Sequence, residues 1–238
     1  MRASRGVIAL WLAASLELLP CAPAGAQSAQ AGLLAFLAQR PLLARLDLAD
    51  AVAIASVERV ELGRVHLRDA EVLIGSVPGS FELKRAPSSP PPLAPGERAL
   101  LLLRGARSPY LLVDAPAELR KLPDAAAEGR WRGAVLALSE KRGDPALLEL
   151  YLAWLDPAAP DLARAAVLGL DDPMAPFHPL PVAALLRLAR FAGDARAELE
   201  LRRAAHFLVG RSLADQGQLL ARNAELRDAL ERLGEELR

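Results

Sequence analysis

Apolar and polar positions change rhythm three times along this chain. Residues 7–14 are apolar without interruption. Leu33, Leu34, Leu37 and then Leu42, Leu43, Leu46 follow at helical intervals, with Pro41 between the two groups, where it ends or kinks a short helical lead-in. From 51 to 113 the spacing shortens to that of strands. Residues 51–57 are small and apolar on both faces, as in a buried strand. Residues 58–63 predict a turn, after which Val65, His66, Leu67 and Arg68 resume alternation and 71–75 continue it. Residues 75–80 form a second turn signal, Phe81, Glu82, Leu83 and Lys84 alternate strictly, and the proline-rich stretch 86–95 cannot pair as a strand. Leu100 to Leu103 fit a central strand, Ser108 and Pro109 turn the chain, and 110–113 close the set. About five short strands with tight turns predict a small antiparallel barrel or sandwich.

From 117 onward the period is that of a helix. Trp131, Val135 and Leu138 share one face. Gly143, Asp144 and Pro145 end one helix and start the next, with Asp144 as N-cap. Leu147, Leu148, Tyr151, Leu152 and Leu155 make its apolar face, and 162–170 form a third helix after the break at 156–161. Residues 171–181, with four prolines, are a connector, and 182–191 with 196–209 predict a further helix pair. The last stretch, 214–238, places Leu219, Asn223, Leu226, Leu230, Leu233 and Leu237 at alternating four- and three-residue intervals. That seam suits either docking on its own domain or self-association.

The fold class expected is α+β. It divides into an export signal (1–26), a helical lead-in (27–48), a barrel domain (49–116), a helical domain (117–210) and a C-terminal amphipathic helix (211–238). Two stretches carry resemblances. The segment ADAVAIA at 49–55, Glu71-Val72-Leu73-Ile74-Gly75, Phe81-Glu82-Leu83 and the run PGERALLLL from Pro95 to Leu103 resemble the small barrel of many exported bacterial proteins. That barrel is similar to the netrin-type module of metalloproteinase inhibitors, an OB-like fold. Ile74 stands where that pattern has lysine, and leucines replace its aromatics. The cysteine with which such an inhibitor engages a protease zinc is missing, so the resemblance implies the fold and not the inhibition. The helical stretch 143–170 resembles HEAT-type repeats, with paired helices and a D-P turn.

Composition narrows the function. Apolar residues make up 53% of 238, but aromatics only 4%, so the core is built from Leu, Val and Ala. Basic and acidic residues number 29 each, and the expected mature chain carries about −1, which gives no electrostatic reason to expect nucleic acid as partner. Arg2 and Arg5 precede the apolar run 7–14, Pro20 breaks it, and Ala24-Gly25-Ala26 supplies a small-x-small cleavage site. Glu17 interrupts the run short of the roughly 20 residues a membrane span needs. Export to the periplasm or beyond, with no transmembrane segment after cleavage, is therefore expected. Cys21, the one cysteine, lies inside this signal in a stretch that faintly resembles a lipoprotein box but has Pro20 where a small residue belongs. Cleavage after Ala26 leaves no thiol for a disulfide, nucleophile or metal.

The chemistry-bearing residues are sparse. His66, His178 and His206 are isolated, with no metal-ligand spacing between any two. Asp171 and Asp172 suit a cap or turn better than a catalytic pair. Trp131, Trp154 and Tyr151 fall at core spacing, and Arg187, Arg190, Arg196, Arg202 and Arg203 interleave with Asp194, Glu198 and Glu200 as a solvated, ion-paired face. No catalytic, cofactor-binding or metal-binding residue is assigned and no cofactor is implied. The reading that follows is a non-enzymatic exported protein that binds another protein or an envelope component. Two alternatives are a hydrolase assembled around His66, Asp69 and Glu71, and a barrel that binds a glycan or peptide through its strand face and the 86–95 loop. The wet face at Glu82 and Lys84 is where a partner would touch.

Overall fold

In a computed structural model the described residues are 39–84, 93–113, 119–215, 224 and 228. The export segment, most of the lead-in, residues 85–92 of the proline-rich loop and nearly all of the C-terminal seam lie outside them. The protein is α+β: a nearly closed antiparallel β-barrel followed by several helices. It divides into two compact units, Arg40–Leu150 and the part from Tyr151 onward.

The first unit opens with α1 (Leu42–Leu48), whose N-cap is Pro41. Proline suits that place because its fixed φ and missing N–H cost nothing at a helix start. Six strands follow: β1 (Ala51–Glu61), β2 (Arg64–Ile74), β3 (Phe81–Lys84), β4 (Arg98–Arg104), β5 (Leu111–Leu112) and β6 (Leu119–Leu122). The sheet order is β3-β2-β1-β4-β5, with β6 paired to the same edge of β4 as β5. Tyr110 closes the ring. Its N–H donates to the Glu82 carbonyl and its carbonyl accepts the Lys84 N–H, both at 2.8 Å.

Two features of the strands differ from expectation. First, β1 continues through 58–61, and the turn shrinks to Leu62 and Gly63, the latter at φ +81°. A register shift between Val57 and Arg59 leaves Glu58 and Arg59 both exposed. This bulge interrupts the alternation and so mimics a turn in the sequence. A second shift, between Ile54 and Ser56, faces Asp69, which sits at φ 52°, a conformation that Asp tolerates better than most residues. Second, β6 falls where a helix was expected. Leu119-Arg120-Lys121-Leu122 has helix-like leucine spacing, but it lies along the open edge of β4, whose backbone groups need partners.

Alternation sorts the strands onto two faces. Ala51, Ala53, Ala55 and Val57 of β1 point into the barrel with Val65, Leu67, Phe81, Leu83, Leu101, Leu103 and Tyr110. Phe81 and Tyr110 meet edge to face at 5.5 Å. The opposite face of the same strands begins with Val52, Ile54, Leu100 and Leu102, which are also fully buried. Here α1 packs on β4, while α2 (Ala125–Glu140) packs on β2, β6 and α1. Asp124 caps α2, its Oδ1 accepting the Ala127 N–H at 2.7 Å. Thus β6 and α2, expected in the helical part, belong to the barrel's unit. Gly75 (φ +74°) permits the close approach of the β2 end to β1, since a Cβ there would stand 2.4 Å from the Asp50 carbonyl oxygen.

After Gly143 (φ +76°), Asp144 starts α3 (Ala146–Ala153) as expected, its Oδ1 accepting the Ala146 N–H at 2.7 Å. In the second unit, α4 (Pro160–Leu170), α5 (Val182–Gly193) and α6 (Leu199–Asp215) form the helical region, with α5 and α4 each packed on α6. Tyr151 lies flat against Gly169, where a Cβ would come within 2.3 Å of the ring. It also meets Trp154 at 5.8 Å and Phe177 at 6.1 Å, both edge to face. The missing side chain at Gly169 lets α3 and α4 approach closely.

Candidate functional site

The barrel interior is filled by its own side chains, so its outer surface is what other molecules can reach. Along that surface the outward residues change from apolar to charged. On β1 the order is Val52, Ile54, Ser56, then Arg59 and Glu61 beyond the bulge. On β4 it is Leu102, Leu100, Arg98. On β2, Glu71 pairs with Ile54, Arg68 with Ser56, His66 with Arg59 and Arg64 with Glu61.

Where the change begins, α2 supplies an ionic fringe. Arg98 Nε donates to Glu128 Oε2 at 2.7 Å and its Nη1 reaches Ser56 Oγ at 3.2 Å. Glu128 Oε1 also accepts from Arg132 Nη2 at 2.9 Å, and Arg132 grips Glu71 with two bonds of 2.7 and 2.5 Å. Arg120 of β6 stacks over Trp131 at 4.1 Å. These contacts hold the Glu128 carboxyl below its ordinary range, chiefly through Arg98, and the Glu71 carboxyl likewise through Arg132. They pin one helix across four strands.

Beyond the fringe no helix among the described residues of this unit covers the charged face. His66 lies at its centre, its side chain only 12% exposed between two carboxylates. Nδ1 lies 3.4 Å from Glu82 Oε1, and Nε2 lies 3.2 Å from Glu61 Oε2 but poorly aligned for a hydrogen bond. Arg64 pairs with Glu82 at 2.6 Å and Arg59 with Glu61 at 3.0 Å. The Glu61 carboxyl is held below its usual range by the His66 imidazole first and by Arg59 and Arg64 in addition. Leu62, at the tip of the β1–β2 turn, is 88% exposed. Glu82 and Lys84, read from the sequence as the wet face of β3, do point outward here.

The grouping of His66 with Asp69 and Glu71 does not form. Glu71 turns to Arg132, Asp69 lies beside Arg68 at 3.5 Å, and His66 is flanked by Glu61 and Glu82. Sequence reasoning missed Glu61 because the bulge at Val57 decides which residue of β1 stands beside His66, and Glu82 because the β2–β3 register places it opposite His66. The two imidazole nitrogens face opposite carboxylates, so the three side chains do not converge on one ion. Among the described residues no group of three or more His, Asp or Glu side chains is placed to hold a metal.

The helical unit holds several of its charged residues in ion pairs. Asp171 ends α4 and meets Arg211 at 2.5 Å in poor hydrogen-bonding alignment. Burial pushes its carboxyl up, against the pull of Arg211 and His178. Asp172 accepts the Met174 N–H at 3.0 Å, a turn contact. His178 stacks beside Phe177 at 5.4 Å, and burial pushes the His206 imidazole below its ordinary value. Trp131 and Tyr151 are core, as their spacing predicts, whereas Trp154 is only half-buried. In the arginine-rich stretch, Arg196 pairs with Asp194 and draws that carboxyl down to about 2, while Arg202 donates to the Ala192 carbonyl at 2.8 Å. Among the described residues no helix is long and apolar enough to cross a membrane. No protein-family model, curated protein or solved structure matches the chain.

Proposed function

We propose that the protein is a non-enzymatic, exported binding module whose barrel presents its bare charged face to another protein or envelope component. The observation that carries this reading is the contrast within one barrel. Its interior is packed with aliphatic and aromatic side chains, while the outward residues Arg59, Glu61, Arg64, His66, Glu82 and Lys84 form a continuous polar surface. A packed core leaves recognition to the outside. His66 fits this role better than that of a general base, because both its ring nitrogens face carboxylates of the protein itself. The netrin-like and HEAT-like resemblances agree with a two-part binding protein and add nothing on its target. The C-terminal leucine seam around Asn223 lies outside the described residues, and its spacing suits either docking on its own domain or self-association.

The experiment is affinity capture from envelope extract of the source cells, using the mature protein and a variant with Arg59→Glu and Arg64→Glu. A partner retained by the first and lost from the second is the expected result. Recovery of nothing by the mature protein would overturn the reading. So would equal recovery by both, as far as this face is concerned. In parallel, turnover of ester or peptide substrates that His66→Ala abolishes would replace it with the hydrolase reading.

A further inference from the structure

The sheet registers place a second set of side chains together, farther around the barrel. Arg64 pairs with Lys84, the Leu83–Tyr110 bridge sets Lys84 beside Leu111, and Leu111 pairs with Arg104. Leu83, Tyr110, Leu112 and Leu103 face the core, so Lys84, Leu111 and Arg104 face out in one row across β3, β5 and β4. All three are exposed, Leu111 to 49%. Arg107 is exposed in the β4–β5 loop, which lies along β3 because Ser108 Oγ accepts the Glu82 N–H at 3.0 Å. The nearby carboxylates are already engaged. Glu82 serves Arg64 and His66, and Asp50 Oδ2 accepts the Gly105 N–H at 2.7 Å. Lys84, Arg104 and Arg107 meet no carboxylate among the described residues, unlike the adjoining Arg64 and, beyond it, Arg59.

We propose that Lys84, Arg104 and Arg107, set around the exposed Leu111, dock an extended acidic peptide of a partner protein. Charge complementarity fixes the sign of the ligand. Curvature fixes its form. Neighbouring strands lie about 4.8 Å apart, so Lys84 and Arg104 stand about 10 Å apart at the backbone and splay farther outward on a convex barrel. A planar anionic membrane touches such a row along one line, whereas an extended chain lies across it. In an extended peptide, residues i and i+4 share a face about 13 Å apart, with i+2 between them. Acidic residues at the two ends then meet Lys84 and Arg104, and an apolar residue between them covers Leu111. This inference rests on the binding-module reading and names the chemistry of its partner.

The test uses the mature protein and a fluorescein-labelled peptide in which two glutamates flank a leucine at two-residue spacing, read by fluorescence anisotropy. Binding should weaken at least tenfold with Lys84→Glu plus Arg104→Glu, several-fold with Leu111→Ser, and steeply with added salt. A peptide with glycine in place of the leucine should bind several-fold more weakly. Thermal melts of the variants, expected to match the parent because all three positions are exposed, separate lost binding from lost fold. Equal affinity for the doubly charge-reversed variant would overturn the proposal. Lys84- and Arg104-dependent sedimentation with phosphatidylglycerol vesicles in place of peptide binding would overturn it in favour of a membrane. If the charge-reversed variant still captures the partner recovered from envelope extract, the module reading survives and this row is not its site.

Discussion

The two ends of the barrel's outer surface are built from the same strands and the same alternation, yet one is covered and the other is bare. At the covered end the outward residues are Val52, Ile54, Leu100 and Leu102, all fully buried beneath helices of the same unit. At the bare end they are Arg59, Glu61 and Arg64, exposed to 61, 51 and 55%. A strand residue that is apolar on its outward side needs a cover, and the hydrophobic effect supplies one at about 25 cal/mol for each Å² removed from water. Charged residues that pair across strands need none. The border runs through Ser56 and Arg98, where Glu128 and Arg132 of α2 match the first charges they meet. What lies under α2 is therefore scaffold, and what lies beyond it carries no helical cover among the described residues of this unit.

This division predicts a steep gradient in the cost of substitution. The largest loss belongs to Trp131, buried at the centre of the covered end with Arg120 stacked on it. Trp131→Ala should lower stability by about 3–5 kcal/mol, as large-to-small changes in packed cores do. Urea denaturation followed by circular dichroism measures it. A loss below about 0.5 kcal/mol, the range of a surface substitution, would mean that α2 does not cover the barrel as described.

The ionic fringe should rank next and should carry a pH signature. Arg132→Ala removes the bidentate grip on Glu71 and one contact of Glu128, and should lower stability measurably but by much less than Trp131→Ala, because both partners are partly exposed. The carboxyls of Glu71 and Glu128 are both depressed in the folded protein from an ordinary value of 4.5. Folding then favours the ionised form. Their contribution is fully present above pH 4.5 and is lost as the pH falls through the lower folded-state values. Stability of the parent should thus decline more steeply than that of Arg132→Ala below about pH 4.5, and the two curves should converge in acid. Parallel curves would show that the fringe is not the source of the acid sensitivity.

Much of the scaffold is legible in the sequence because it follows from local rules. Strict alternation in Phe81-Glu82-Leu83-Lys84, the apolar run at Leu100–Leu103 and the Asp144 start of α3 all stand where pattern and capping chemistry place them. What escapes is set by pairing between distant residues. Leu119–Leu122 becomes a strand because β4 has an open edge, not because of its own propensity. The end of β1 is hidden by one extra residue at the bulge, and that residue sets Arg59 opposite His66 and Glu61 opposite Arg64. The association of α2 with the barrel rests on Arg98–Glu128 and Arg132–Glu71, pairs 30 and 61 residues apart that no periodicity reveals. The candidate site suffers most, since a binding face on a barrel is composed of registers.

The smallest effect is the sharpest test of the contrast. His66 is the most enclosed polar residue of the bare end, so it is the residue there with most claim to a structural role. Its removal leaves Glu61 with Arg59 and Glu82 with Arg64, both still at the surface, so no carboxylate is stranded away from water or from a cation. His66→Ala should therefore cost less than Arg132→Ala, even though the imidazole is only 12% exposed. The same variant should change partner capture, because the imidazole sets the spacing between the two carboxylates. A loss near that of Arg132→Ala, with capture unchanged, would reverse the assignment: the bare end would then be scaffold as well, held together across β1, β2 and β3 by His66 in the way that α2 holds the covered end.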